Sequence, residues 1–244
     1  VLRMSEFLKG SLQVLKVGEK TYAEIKADEN FKDALKLVQT QPSFTIRLLC
    51  FAMDQQITLN RDKELRKQLA HSFNRMQIWP NTDSDAQIAQ TLAPDFLLQN
   101  PKLKWYEFQQ QKPLKDLKFK DSEIIIAANM EYPEVLALYE TFSNLKIPAR
   151  VDIQKVDYYA SILKNRPNIF RISFQPIYPD PEEYYALFYS KNPPEINLAS
   201  YQNKKFDQIL EQAIIEQNAQ KRQALFLKLE QILKDDAGVF YLKK

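Results

Sequence analysis

Glycine, cysteine and histidine are the scarce residues of this chain. Among 244 residues there are three glycines, Gly10, Gly18 and Gly238, where ordinary usage of about 7% would give roughly 17. No two of them stand close enough for a dinucleotide fingerprint or a phosphate-binding loop, so nucleotide binding through either motif is excluded. One cysteine (Cys50) and one histidine (His71) exclude Cys/His zinc clusters and an intrachain disulfide framework. No cofactor is expected. A nucleophile–histidine device would have to run through His71 alone, and His71 falls in a predicted amphipathic helix, where a surface or packing role is the expectation.

Long apolar runs are missing as well. The longest covers residues 124–128, far short of the roughly 20 residues a membrane span needs. The opening residues, Val1 to Glu6, lack the apolar stretch and small-residue cleavage site of a signal peptide. An excess of one charge is also absent. Thirty-four Lys and Arg against 31 Asp and Glu leave +3, which gives no pull toward nucleic acid. Lys102, Lys104, Lys112, Lys115, Lys118 and Lys120 gather in one stretch, but Glu107, Asp116 and Asp121 are mixed in; this reads as a solvated face.

What is present suffices for a core: 45% hydrophobic and 12% aromatic residues, a composition that does not favour disorder. The pattern predicts a short helix over 3–9 closed by Gly10, a strand over 12–17, and a helical period through Phe31, Leu35 and Val38. A strand follows over 44–51. Asn60 is placed to cap a helix over 60–76, with Leu65, Leu69 and Phe73 on one face. Residues 79–122 are irregular, broken by Pro80, Pro94, Pro101 and Pro113; Trp79 and Trp105 within them read as packing residues or cleft walls. Cys50 reads as a small buried apolar residue.

From residue 123 onward the architecture is clear. Strands over 123–129, 149–154 and 169–174 alternate with helices over 133–145 and 158–164. That alternation means parallel pairing through right-handed crossovers, an open α/β sheet. A proline-rich turn over 176–181 leads to an aromatic helix over 182–189. Two further helices carry Phe206, Ile209, Leu210, Ala213 and Ile214, then Leu225, Phe226, Leu229, Ile232 and Leu233. A short strand over 239–242 closes the pattern.

In an open parallel sheet, ligands bind beyond the carboxyl ends of the strands. Three loops qualify: 129–132, which begins with Asn129, the turn after Gln154, and 175–180. In the third, Pro176, Pro179 and Pro181 fix the backbone and would hold Phe174, Gln175 and Tyr178 at a rim. Rigid aromatics with a few polar groups suit small-molecule and peptide sites. The other reading is that the prolines only route the chain into the next helix. Asp152, Asp157 and Asp180 near strand ends would be the carboxylates of a hydrolase, but nothing in their spacing places a pair together.

Several segments resemble extracellular solute-binding protein family 5, the binding proteins of oligopeptide and dipeptide ABC importers. Residues 44–51 followed by 60–70 and Asn74-Arg75 resemble its strand and "VRQAL" helix. Residues 178–181 match its "YPDP" turn, 201–210 its "YxNxEFDxLL" segment, and 220–237 its closing helix. Gly10 and the strand after it resemble its "GEID" segment. Together the matches span nearly the whole chain.

The resemblance implies an α/β, type II periplasmic-binding-protein-like lobe with an open, largely parallel sheet flanked by helices. It implies that 1–50 is a remnant of a first lobe and crossing strand, 51–236 the second ligand-binding lobe, and 237–244 a return strand, the whole being the C-terminal half of a longer protein. It implies a non-enzymatic, monomeric binding protein of the periplasm or cell surface. Such a protein captures a peptide or related solute by lobe closure and presents it to a membrane permease. Phe174, Gln175, Ile177, Tyr178 and Asn129 are the expected ligand contacts. In peptide binders of the family an acidic residue precedes the turn's tyrosine and meets the peptide amino terminus; here that position is Ile177, which offers no charge. Asp180 is expected to cap the following helix. The alternative use of the same fold is as the sensing domain of a regulator or surface receptor.

Overall fold

A computed structural model describes residues 5–7, 9–11, 19–29, 36, 44–54, 58–78, 89–99, 103, 106–109 and 123–243. The chain divides into two compact units, Val1–Pro42 and Ser43–Lys244.

In the first unit, α1 spans Glu19–Ala27, with Ile25 buried. Gly10 adopts the left-handed conformation, φ +74°. Its N–H donates to Phe7 O at 3.0 Å and the next N–H, from Ser11, to Glu6 O at 3.0 Å. This is the helix-ending geometry expected at Gly10, where a Cβ would carry a penalty. The expected strand over 12–17 and the residues Phe31, Leu35 and Val38 lie outside the described residues.

The second unit is built on five strands, β1 (Ile46–Phe51), β2 (Ile124–Ala128), β3 (Ala149–Ile153), β4 (Ile169–Phe174) and β5 (Val239–Lys243), in the spatial order β3-β2-β4-β1-β5. β2 pairs in parallel with β3, from Ile124↔Ala149 to Ala128↔Ile153, and with β4 at Ile126↔Ile169 and Ala127↔Phe170. β1 runs antiparallel to both β4 and β5. The α/β sheet is therefore mixed, with one reversed strand between β4 and β5. Strand direction depends on partners far away in the chain, and the residues of β1 carry no mark of it. Both β1 and β5 belong to the compact unit that begins at Ser43.

The helices are α2 (Thr58–Arg61), α3 (Lys63–Ser72), α4 (Arg75–Ile78), α5 (Pro133–Asn144), α6 (Tyr158–Asn165), α7 (Pro181–Tyr185), α8 (Lys204–Ile215) and α9 (Ala219–Asp236), with a 3₁₀ turn over Ala186–Phe188 after α7. The single helix expected over 60–76 is thus three pieces. Asp62, not Asn60, caps α3, accepting from Leu65 N–H at 3.0 Å. The Asn60 amide is buried and donates instead to Ala52 O and Asn168 O, each at 2.8 Å. It ties the end of β1 to the approach of β4. His71 has the packing role expected of it: Nδ1 lies 2.8 Å from Glu107 O, and the ring meets Tyr106 edge-on at 4.8 Å.

Asn203 and Asn218 cap α8 and α9 through their side-chain oxygens. Phe206, Leu210 and Ala213 of α8 and Phe226, Leu229 and Leu233 of α9 are all buried. The sheet contributes Leu48, Phe51, Ile126, Phe170 and Phe240 to the same core. Cys50 is buried in β1 as a free thiol. The six lysines of the basic stretch, Asp116, Asp121 and both tryptophans lie outside the described residues.

Candidate binding edge of the sheet

Parallel pairing brings the carboxyl ends of β2, β3 and β4 to one edge, so the loops 129–132, 154–157 and 175–180 leave the sheet together. Because β1 is reversed, its amino end joins them: Ile46 pairs with Phe174. The chain reaches β3 on one side of β2 and β4 on the other, and such a reversal of direction opens a crevice between the two neighbours.

Tyr158, buried at the start of α6, fills that gap. Beyond Ala127↔Phe170 no further β2–β4 pair forms. There the Tyr158 hydroxyl lies 2.9 Å from Ala127 O and 2.7 Å from Arg171 O, and accepts from Arg171 N–H at 3.1 Å. Burial pushes the phenol well above its ordinary pKa, so it stays protonated and able to donate.

A second brace lies beside it. Arg171 and Glu134 are 6% and 2% exposed, and Arg171 Nε is 3.2 Å from Glu134 Oε1. The guanidinium carbon sits 3.8 Å from the centre of the Tyr132 ring, within cation–π range. β4 is thereby pinned to the start of α5 at the end of the 129–132 loop. An arginine inside the apolar run Ile169-Phe170-Arg171-Ile172 was the one trace of this brace in the sequence.

The 175–180 turn is a fixed lip. Asp180 N–H donates to Tyr178 O at 2.9 Å, and Ile177 N–H donates to Glu183 Oε2 at 2.6 Å. Asp180 Oδ1 accepts from Glu182 N–H at 2.8 Å, capping α7 as expected. Its two oxygens also accept from Arg222 Nη2 and Nη1, at 2.9 and 2.8 Å. Burial works to raise the Asp180 carboxyl, but its hydrogen bonds to Arg222 and Glu182 and the Arg222 charge outweigh it and hold the pKa below the usual carboxylate value. Glu182, 3.6 Å from Arg222, is shifted upward by burial and by neighbouring Asp180. Slight burial and then the charges of Glu182, Glu183 and Asp180 raise the Tyr178 phenol.

Of the five expected contact residues, Phe174, Gln175, Ile177 and Tyr178 share this lip, and Asn129 is exposed at the end of the neighbouring strand. Phe174 is half-buried, its ring edge-on to Tyr184 at 5.5 Å. The Tyr184 hydroxyl donates to Phe44 O at 2.5 Å, fastening the base of the lip to the entry of β1. Gln175 is exposed. Tyr178 is 47% and Ile177 94% exposed. The carboxylates weighed for hydrolysis stand apart in role: Asp180 is held by Arg222, Asp152 accepts from Gln154 Nε2 at 2.9 Å, and Asp157 is exposed in the left-handed region ahead of α6. Among the described residues no group of His, Cys, Asp and Glu could hold a metal ion, and no helix is long and apolar enough to cross a membrane.

Comparison with solved structures defines the class of fold. The OppA of Haemophilus influenzae in complex with RPPGFSPFR matches with a TM-score of 0.72 and 17% identity, over 98% of this chain and 50% of that one. The DppA of Helicobacter pylori, an ABC transporter-associated periplasmic binding protein in complex with the peptide STSA, matches at 0.71 and 16%, over 88% and 45%. HbpA2 of Haemophilus parasuis matches at 0.76 and 16%, over 94% and 51%. The fold is thus that of the periplasmic binding proteins, in agreement with the motif resemblance. The chain spans about half the length of the structures it matches. No protein-family model matches the chain, and no curated protein does.

Proposed function

We propose that this chain is the second ligand-binding lobe, with part of the first, of a solute-binding protein that delivers peptides or related solutes to an ABC importer. It is the C-terminal half of that protein, and the lip and the ends of β2 and β3 form one wall of a cleft. Capture is non-catalytic: the ligand binds between two lobes and stabilises their closed arrangement in proportion to its preference for that state. The closed monomer then meets a membrane permease from the periplasm or cell surface. Phe174, Gln175, Ile177, Tyr178 and Asn129 are the residues of this lobe that face the solute.

The observation that carries the reading is the braced lip at the carboxyl edge. Its backbone is fixed by three prolines and by the bond from Ile177 N–H to Glu183, its Asp180 side chain is held by Arg222, and yet Ile177 and Tyr178 are exposed. A rigid, uncovered apolar rim suits a ligand that completes it. The test is a thermal-shift screen of the full-length protein against peptide mixtures, followed by calorimetry on the positives. The expected result is a raised unfolding temperature with a subset of peptides, and a much weaker effect on this chain alone. No stabilisation by any peptide would overturn the peptide reading.

A further inference from the structure

β3 stands at one end of the five-strand order, beside β2 alone. In a parallel ladder every second residue turns both its N–H and its C=O to the same neighbour. Ile124 N–H donates to Pro148 O and Gln154 N–H to Ala128 O, each at 2.8 Å, so the even positions of β3 bond β2. The N–H and C=O of Ala149, Val151 and Ile153 therefore point away from the sheet, and among the described residues no group bonds them there.

The side chains alternate between the two faces. Ala149, Val151 and Ile153 pack against the core, and Arg150 and Asp152 stand on the opposite face, 47% and 27% exposed. Arg150 reaches Glu123 at 3.1 Å and Asp152 only at 4.0 Å, exposed contacts that hold a side chain weakly. Edges built to stay single carry proline or lysine. β3 has neither, and its two charges are of opposite sign, placed symmetrically about Val151.

We propose that β3 pairs antiparallel with β3 of a second copy of this chain, about a two-fold axis through Val151, joining the two sheets into one. Val151 then faces Val151 of the second copy, and Ala149 faces its Ile153. These residues carry the outward N–H and C=O groups, so they form the hydrogen-bonded pairs. Arg150 lies directly opposite Asp152 of the second copy, twice by symmetry, at the non-hydrogen-bonded positions where side chains come closest. A slide of one residue breaks the ladder. A slide of two restores it but sets Arg150 against Arg150, or Asp152 against Asp152. Charge thus fixes the register as well as the partner.

One ladder of this length is a small contact, so copies pair where the protein is concentrated and separate on dilution. β2 lies between β3 and the strand that carries the lip, so pairing is independent of solute capture and of the monomer as the form delivered to a permease.

The test is sedimentation equilibrium of the full-length protein without ligand, from about 10 μM to about 1 mM. The expected result is a reversible monomer–dimer equilibrium. Arg150→Asp and Asp152→Arg should each weaken it at least about ten-fold, since each sets like charges opposite one another at both symmetric positions. The double variant Arg150→Asp/Asp152→Arg exchanges the charges and should restore pairing. An equal mixture of the two single variants should also pair, because each supplies the charge the other lacks. Val151→Pro removes the N–H at the axis while leaving the bonds to β2, and should abolish pairing. Thermal unfolding of each variant shows that the fold is kept; where a single variant unfolds early, the double variant decides. A wild type that stays monomeric at about 1 mM, or a dimer that single charge reversals leave unchanged, would overturn the proposal. A double variant and a mixture no better associated than the single variants would overturn it too.

Discussion

Arg222, on the first turns of α9, holds Asp180 through two parallel hydrogen bonds of 2.8 and 2.9 Å. The same carboxylate caps α7, so a single residue fixes the end of the lip, the start of the next helix and the packing of α9 against both. Bidentate pairing of this kind gives direction as well as strength.

Asp180→Ala should lower stability by about 1–2 kcal/mol, since the cap and the pair are lost together. Asp180→Asn keeps an acceptor at the cap and should lose less. Urea unfolding of both variants checks the order, and a larger loss in the asparagine variant would refute the capping role.

The pair also gives an acid dependence of definite sign. Asp180 is held below its unfolded value despite the opposing effect of burial. Its contribution is complete above the unfolded carboxylate value of about 4 and is lost as pH falls through the lower folded value. Glu182, shifted upward by burial and by Asp180, acts oppositely, weighing against the fold when ionised. The stability gap between wild type and Asp180→Asn should therefore be full at neutral pH and shrink in acid. Unfolding curves over a pH series measure it, and a gap that stays flat in acid is inconsistent with this account.

Arg171→Met should cost about 3–5 kcal/mol, because Glu134 would keep a buried charge with its ion-pair partner gone. The double variant Arg171→Met/Glu134→Leu should recover most of the loss. Chemical denaturation of the single and double variants is the measurement; a double variant no better than the single would show that the Tyr132 contact, not the charge pair, dominates.

Tyr158→Phe keeps the ring and removes only the hydroxyl wedged between β2 and β4. The Ala127 and Arg171 backbone groups would lose their partner in a dry place, at about 1–3 kcal/mol. Hydrogen exchange of the Arg171 amide should accelerate in that variant while amides of α9 away from the gap stay protected.

Cys50 should resist thiol reagents in the native protein and react as the fold opens. It is fully enclosed in β1, and burial pushes its thiol far up from the ordinary value, which suppresses the reactive thiolate. Labelling across a denaturant series should follow the unfolding transition; rapid labelling without denaturant would contradict the packing of β1.

Much of this was legible from residue patterns, and the failures share a cause. Runs such as Ile124-Ile125-Ile126 and Ile169-Phe170-Arg171-Ile172 are short, β-branched and bounded by turn residues, so β2, β3 and β4 and the helices between them stand where the sequence puts them. The helix over 60–76 breaks because its apolar period runs on past Asp62, while Asp62 is the better cap and Asn60 is claimed by carbonyls at positions 52 and 168. The orientation of β1 depends on strands far along the chain. At the carboxyl edge of the sheet, three prolines made the lip visible in advance. Its anchor on Arg222 and the Tyr158 wedge are partnerships across the fold, and no local spacing announces them.

The placement of β1 bears on how the protein is made. Strand β1 comes before both of its neighbours, β4 and β5, which are encoded far downstream of it. Until they arrive it has two open backbone edges and a greasy face, a state prone to clumping with other nascent chains. The yield of folded protein in cells should therefore depend on how soon the downstream strands arrive, and not on the stability of the finished fold alone.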